Sequence, residues 1–185
     1  MNVLLIGSGG REHSIAKTLA KSPQLSQLFC APGNPGTLEY AQNISIKETD
    51  HDGLLSFSTE NNVKLVIIGP EAPLVEGLSD RFEEKNIAVI GPKKAGAQLE
   101  GSKKWAKAFM QRHNIPTASY EEFTDYDSAN SYLIKEDSYP IVIKADGLAA
   151  GKGVTVANTY SEAEQALKTC FIDNAFGNAG QSIII

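Results

Sequence analysis

The chain has 185 residues, 42% of them apolar and 21% charged, with a formal net charge of -5. That length suits one domain or two small ones and allows a sizeable core. The balance of 22 acids against 17 bases leaves no basic footprint for nucleic acid or an anionic membrane surface, and no apolar run reaches the length of a membrane span.

Cys30 and Cys170 lie far apart without a CxxC pair, and His13, His51 and His113 are scattered without metal-ligand spacing. The expectation is two reduced, buried thiols in a cytoplasmic protein. The chain opens directly on a strand-like run with no basic stretch before it, so no signal peptide is expected.

In chain order, residues 3–6 (VLLI), 65–68 (LVII) and 87–90 (IAVI) are short, continuous apolar runs, closed by Gly7, Gly69 and Gly91. Such runs suit strands buried on both faces of a parallel sheet. Residues 28–31 and 44–46 are weaker strand candidates. Between them, Ile15, Ala16, Leu19 and Ala20 share one helical face. Leu74, Leu78 and Phe82 share another, with Pro73 suited to a first helical position. Alternating strand and helix signals predict an open α/β sheet. Each strand that ends in glycine places a loop at the carboxyl edge, where ligands bind in such sheets.

The pattern changes near residue 100. Ser102 is expected to cap a helix carrying Trp105, Ala106, Phe109 and Met110, which Ile115-Pro116 ends. Then come a strand over 118–123, a helix marked by Tyr126, Ala129, Leu133 and Ile134, and a strand over 140–144. A glycine-rich loop leads to a strand over 154–156. Thr159 with Glu162 forms a capping box for a helix bearing Ala163, Ala166, Leu167, Cys170 and Phe171. A final strand covers 181–185. The β-α-β-β-α-β order predicts a small α+β sandwich, with helices on one mixed or antiparallel sheet. The closing isoleucines read as an exposed apolar edge, so the chain is expected to be cut short of further protein.

Two glycine-rich segments carry the chemistry. The first, Gly7-Ser8-Gly9-Gly10-Arg11-Glu12-His13, reads either as a phosphate-binding turn at a helix start or as a tight turn that binds nothing. A dinucleotide site is disfavoured: Glu12 stands where the third glycine belongs, and the second strand ends in Cys30-Ala31-Pro32-Gly33 without a ribose-holding acid. Glu71 offers a carboxylate for an amine or hydroxyl, or simply an acid favoured at a helix start.

The second segment, Lys144-Ala-Asp-Gly147-Leu-Ala-Ala-Gly151-Lys152-Gly153, joins fixed positive charge to backbone N–H groups able to fold over a triphosphate. Lys144 is costly to bury on an apolar strand without an anion, unless it snorkels at the strand end. The spacing is not that of a P-loop, so a phosphate-covering hairpin is expected. Lys103, at a helix start, opposes the helix dipole and calls for a nearby anion, although an ordinary surface lysine fits almost as well.

Taken together, VLLIGSGGREH (3–13), APGNPGT (31–37), GPEAPL (69–74), QLEGSK (98–103), IVIKADGLAAGKGV (141–154) and NAFGNAG (174–180) occur in this order. They resemble the phosphoribosylamine–glycine ligase family of the ATP-grasp superfamily across essentially the whole chain. The resemblance implies an α/β chain with a Rossmann-like substrate-binding domain over 1–101, a linking helix over 102–116 and an incomplete α+β ATP-grasp lid over 117–185, stopping before the main ATP-grasp domain. It implies that glycine is joined to 5-phosphoribosylamine through a glycyl phosphate, at the expense of ATP. Lys103 and Lys144 would then contact the ATP phosphates, and Gly147, Gly151, Lys152 and Gly153 would form the closing lid. Gly9, Gly10 and Arg11 would face phosphoribosylamine, and Glu71 would line the substrate pocket. The family's Mg2+ or Mn2+ is expected to find its ligands beyond residue 185, and contact or fusion with other purine-pathway enzymes is the expected protein partnership. Alone, the chain is expected to be inactive. The competing readings are another ATP-grasp ligase, which should lack the GPEAPL and NAFG segments, a nicotinamide-dependent oxidoreductase, and a non-catalytic nucleotide-binding module.

Overall fold

The computed structural model describes residues 1–148 and 152–185. The chain divides into two compact units, Met1–Ala97 and Gln98–Ile185.

The first unit contains β1 (Asn2–Gly7), α1 (Gly10–Leu19), β2 (Gln27–Pro32), β3 (Gln42–Asn43), α2 (His51–Glu60), β4 (Val63–Ile68), α3 (Glu71–Glu76), α4 (Leu78–Glu84) and β5 (Ala88–Ile90); α5 (Lys94–Gly101) begins in it. Its five strands are parallel, in the order β3-β2-β1-β4-β5. Successive residues of a strand face opposite ways. Leu4 and Ile6 therefore enter one core with Phe29, Val66, Leu54 and Phe82, while Val3 and Leu5 enter another with Ala16, Leu28 and Cys30. Helices cover both faces, which is why the strand runs are continuously apolar. The strand order changes direction between β1 and β4, which puts their following loops side by side at the carboxyl edge.

Three local differences from the sequence reading have physical causes. The helical face through Leu74, Leu78 and Phe82 is split into α3 and α4 at Gly77, whose φ of 95° is left-handed; Pro73 is the third residue of α3, not the first. α2 has no counterpart in the sequence reading, because Gly53 and two serines dilute its helix signal. It is held instead by the Asp50 side chain, which accepts from the Gly53 N–H at 2.9 Å, and by buried Leu54 and Leu55. β3 lies just before Ile44, whose N–H donates to the Cys30 carbonyl at 2.8 Å.

At the carboxyl edge, Glu12 is only 3% exposed. Its carboxylate accepts from the Gly9 N–H at 2.7 Å and from Arg11 Nε at 2.9 Å. The glycines that close β1 and β4 make room for it. A Cβ on Gly7 would lie 2.8 Å from Glu12 Cδ, and one on Gly69 would collide with its Oε1.

The second unit contains α6 (Lys103–Arg112), β6 (Glu122–Phe123), α7 (Tyr126–Leu133), β7 (Ile141–Ala145), β8 (Val154–Ala157), α8 (Tyr160–Phe171), a 3-10 turn (Gly177–Gln181) and β9 (Ile183–Ile184). The sheet is antiparallel, in the order β6-β9-β7-β8. Ala129 and Leu133 of α7 and Ala163, Leu167 and Cys170 of α8 pack with Ile143, Ala145, Ala157 and Ile183 in one core. α6 stops earlier than the proline requires: it ends at Arg112, and Asn114 just beyond its cap takes a left-handed φ of 55°. The Thr159 cap accepts from the Glu162 N–H at 3.2 Å, but the Glu162 carboxylate returns to the N–H of Asn158 at 2.8 Å, one residue outside the expected box. β6 keeps only two residues of the expected strand. The terminal isoleucines are not an exposed edge: β9 lies between β6 and β7, with Ile183 and Ile184 buried. No described helix is long and apolar enough to cross a membrane.

Burial raises the Cys30 thiol to about 11 and raises Cys170 as well. Both thiols are expected to resist iodoacetamide in the native chain at pH 8 and to react once it is denatured, as mass spectrometry would show. Because the fold holds these protons longer than the unfolded chain does, stability is expected to fall as pH rises past about 8.5. Gly69→Ala is expected to cost about 1–3 kcal/mol, and markedly less in a Glu12→Ala background, as denaturant unfolding of the four proteins would reveal.

Candidate functional site

Alternation along β7 sends Ile143 and Ala145 into the core of the second unit and turns Val142, Lys144 and the following Asp146 the other way. Val142 is paired with Val156, and Lys144 with Val154 and Ile184. Val142, Val154 and Val156 are all exposed. The uncovered face of the sheet thus carries an apolar strip with a half-buried lysine beside it.

An open pocket of about 470 Å³ adjoins this strip, lined by Lys107, Lys144, Tyr120, Val142, Ile184 and Ile185 among others, with Glu121 and Glu136 also on its wall. Lys107 Nζ donates to Thr117 Oγ1 at 2.8 Å and to the Ala118 carbonyl at 2.7 Å, and it lies 5.3 Å from the centre of the Tyr120 ring. Burial, and then the charge of Lys144, push the Lys107 pKa down. Neither lysine forms a salt bridge among the described residues. An oxyanion entering this pocket meets two cations, an aromatic ring and an apolar floor.

Lys103 lies one helical turn before Lys107, on the same side of α6. Its Nζ donates to the Gly147 carbonyl at 2.8 Å. Gly147 has φ 81°, a left-handed conformation that favours glycine. The anion that lysines at this helix start call for is supplied by the chain itself. The Asp146 carboxylate accepts from the Ser102 hydroxyl at 3.1 and 3.2 Å and from the Lys104 N–H at 3.1 Å.

The second unit therefore brings Lys103, Lys144 and Gly147 to one end of β7. Gly153 closes the hairpin there, its carbonyl accepting from the Ala145 N–H at 2.8 Å. Lys152 is exposed. Gly151 lies outside the described residues. In the first unit, Gly9 already spends its N–H on Glu12, whereas Gly10 faces open space. The Arg11 side chain is 59% exposed. Glu71 begins α3 in an exposed position, in the loop beside the glycine turn.

Lys107, Asp146 and Asn34 were missed in the sequence. Asn34 donates through its side chain to the Ser8 and Gly9 carbonyls at 2.9 and 3.1 Å, and it accepts from the Gly36 and Thr37 N–H groups. It ties the loop after β2 to the glycine turn. The i, i+4 spacing of Lys103 and Lys107, and the i, i+2 spacing of Lys144 and Asp146, were the signals available for the first two.

Residues 1–100 match the model of the phosphoribosylglycinamide synthetase N domain, and residues 101–185 match that of the phosphoribosylglycinamide synthetase ATP-grasp (A) domain. A phosphoribosylamine–glycine ligase of Escherichia coli is 54% identical over 187 residues, covering 100% of this chain and 43% of the relative. The crystal structure of the Thermotoga maritima phosphoribosylamine–glycine ligase superposes with a TM-score of 0.77 at 30% identity, covering 100% of this chain and 43% of that one. The biotin carboxylase domain of a Hydrogenobacter thermophilus 2-oxoglutarate carboxylase, solved with MgADP, ADP and bicarbonate, shares the fold with a TM-score of 0.73 at 21% identity, over 98% of this chain and 43% of that one. The chain thus spans under half the length of these relatives. It belongs to the phosphoribosylglycinamide synthetase family of ATP-grasp proteins.

Proposed function

We propose that the chain supplies the substrate-binding and nucleotide-covering parts of an ATP-dependent ligase that joins glycine to 5-phosphoribosylamine. The observation that carries this reading is the pocket lined by both Lys107 and Lys144, with exposed Val142 on its wall, within the region matched by the ATP-grasp domain. The relatives' names supply the substrates.

In this reading the glycine carboxylate attacks the terminal phosphorus of ATP, ADP leaves, and glycyl phosphate forms. The amine of phosphoribosylamine then attacks the acyl carbon and expels phosphate, leaving glycinamide ribonucleotide. Lys103 and Lys144 hold the phosphates. Lys107 adds charge while bracing the segment at Thr117 and Ala118. Val142, Val154 and Val156 offer the apolar surface on which a base rests. Gly147, Lys152 and Gly153 cover the phosphates. In the first unit, Gly10 and Arg11 remain available for the ribose phosphate, and Glu71 for an amine or hydroxyl. The fold family uses Mg2+ or Mn2+ to neutralise the transferring phosphoryl group. Among the described residues no cluster of three or more His, Cys, Asp or Glu side chains is found, and this reading derives no step through the ion. Purine synthesis in the cytoplasm, alongside other enzymes of that pathway, is the setting this reading implies.

The 185-residue chain is expected to release no ADP in response to glycine and phosphoribosylamine in a coupled assay, while a full-length relative such as the Escherichia coli ligase does. Glycine-dependent turnover by the chain alone would overturn that division of labour. Lys144→Ala is expected to weaken ATP binding about 10- to 100-fold by calorimetry or spectral titration. Unchanged affinity would remove Lys144 from the site.

A further inference from the structure

Asp146 stands at a junction of three elements. Its backbone N–H donates to the Ser182 carbonyl at 2.8 Å, which ties the end of β7 to the residue before β9. Its carboxylate reaches the other way, to the first turn of α6. Ser102 Oγ accepts from the Trp105 N–H at 3.1 Å and donates to Asp146, while the Lys104 N–H donates to Asp146 directly. Two first-turn N–H groups of α6 therefore end, one directly and one through a hydroxyl, on a single carboxylate from another element. A negative charge at a helix N-terminus is favourable, and here it also offsets Lys103 and Lys104, which oppose the helix dipole.

What this contact joins matters more than the cap itself. On the strand side, Lys144 is two residues before Asp146 and faces the same way. On the helix side, Lys103 directly follows Ser102, and Lys107 lies one turn further on the same face. Lys103 Nζ rests on the carbonyl of Gly147, the residue after Asp146. We infer that Asp146 is a positioning residue for the nucleotide site: it clamps the start of α6 to the end of β7, so that the lysines of both elements are presented to one polyphosphate. The inference rests on the nucleotide reading above and adds a residue that touches no ligand. In the bound state, Lys103 exchanges the Gly147 carbonyl for a phosphate oxygen, while Asp146 keeps α6 in register with β7.

The test is a titration of the 15N-labelled 185-residue chain with ATP and, separately, with adenosine, followed by amide shifts and by the fluorescence of its sole tryptophan, Trp105. The proteins compared are the unaltered chain, Asp146→Ala, Asp146→Asn and Lys144→Ala. Asp146→Ala is expected to lose about tenfold in ATP affinity with adenosine affinity unchanged, because only the phosphate contacts are mispositioned. Asp146→Asn, which keeps an acceptor for the Lys104 N–H, is expected to recover most of that loss. Undiminished ATP affinity in Asp146→Ala overturns the inference. So does a parallel fall for ATP and adenosine, which marks a merely structural role. If Asp146→Ala fails to fold, Asp146→Ser, too short to reach both donors, is judged by the same criteria. If ATP shifts no resonance of the unaltered chain at millimolar concentration, the nucleotide reading fails and takes this inference with it. If Lys144→Ala loses affinity while the Asp146 variants do not, the reading stands and only the role of Asp146 falls.

Discussion

Two like charges held close in a partly desolvated pocket are the constraint from which the second unit is best understood. Burial first, and then the like charge of Lys144, hold the Lys107 pKa below the usual lysine range. Hydroxyl and carbonyl partners at Thr117 and Ala118 fix the Lys107 ammonium in place without cancelling its charge. An arrangement of this kind is unfavourable when empty and relieved by an anion. The rest of the unit keeps it open. α7 and α8 pack with one face of the sheet, and the opposite face keeps its valines exposed.

The first unit treats negative charge differently. Its glycine-rich turn looks like a cradle for a ligand's phosphate, yet an internal carboxylate already takes the Gly9 N–H. The glycines at the ends of β1 and β4 clear space for Glu12, so their small size has a structural cause independent of any substrate. What remains for a ligand is narrower than the motif suggests: the open side of Gly10 and the free part of the Arg11 guanidinium. Asn34 then matters because it binds the neighbouring loop to the same turn. The edge is pre-shaped by chain-to-chain hydrogen bonds among Ser8, Gly9, Glu12 and Asn34.

The same logic recurs at α6. Cations at a helix start point to an anion, and in both units the protein itself supplies a carboxylate there: Glu12 beside Arg11 in one, and Asp146 at the start of α6 in the other. An internal carboxylate can organise a cationic site as well as compete for it, provided that it bonds to backbone N–H groups and leaves the lysine ends free to turn.

The sequence by itself determined the alternation of strands and helices. Continuous runs such as 3–6 and 65–68 suit strands covered on both faces, and periodic faces such as Ala163, Ala166, Leu167 and Cys170 suit amphipathic helices; both patterns are local. It also carried the family, through ordered glycine and lysine motifs. It was silent on α2, where Gly53 and serines mask a helix that burial of Leu54 and Leu55 enforces, and misleading at Gly77, where a left-handed glycine splits one apparent helix in two. It misjudged the closing isoleucines, because a strand's place in a sheet depends on partners far away in the chain, here Lys144 and Glu122, 40 and 62 residues before Ile184. Only the tertiary structure decided that Lys107 and Lys144 line one pocket, that Asp146 caps α6 across 44 residues of chain, and that Glu12 fills the glycine turn. Those pairings come from strand order and helix packing, and no local pattern of side chains encodes them.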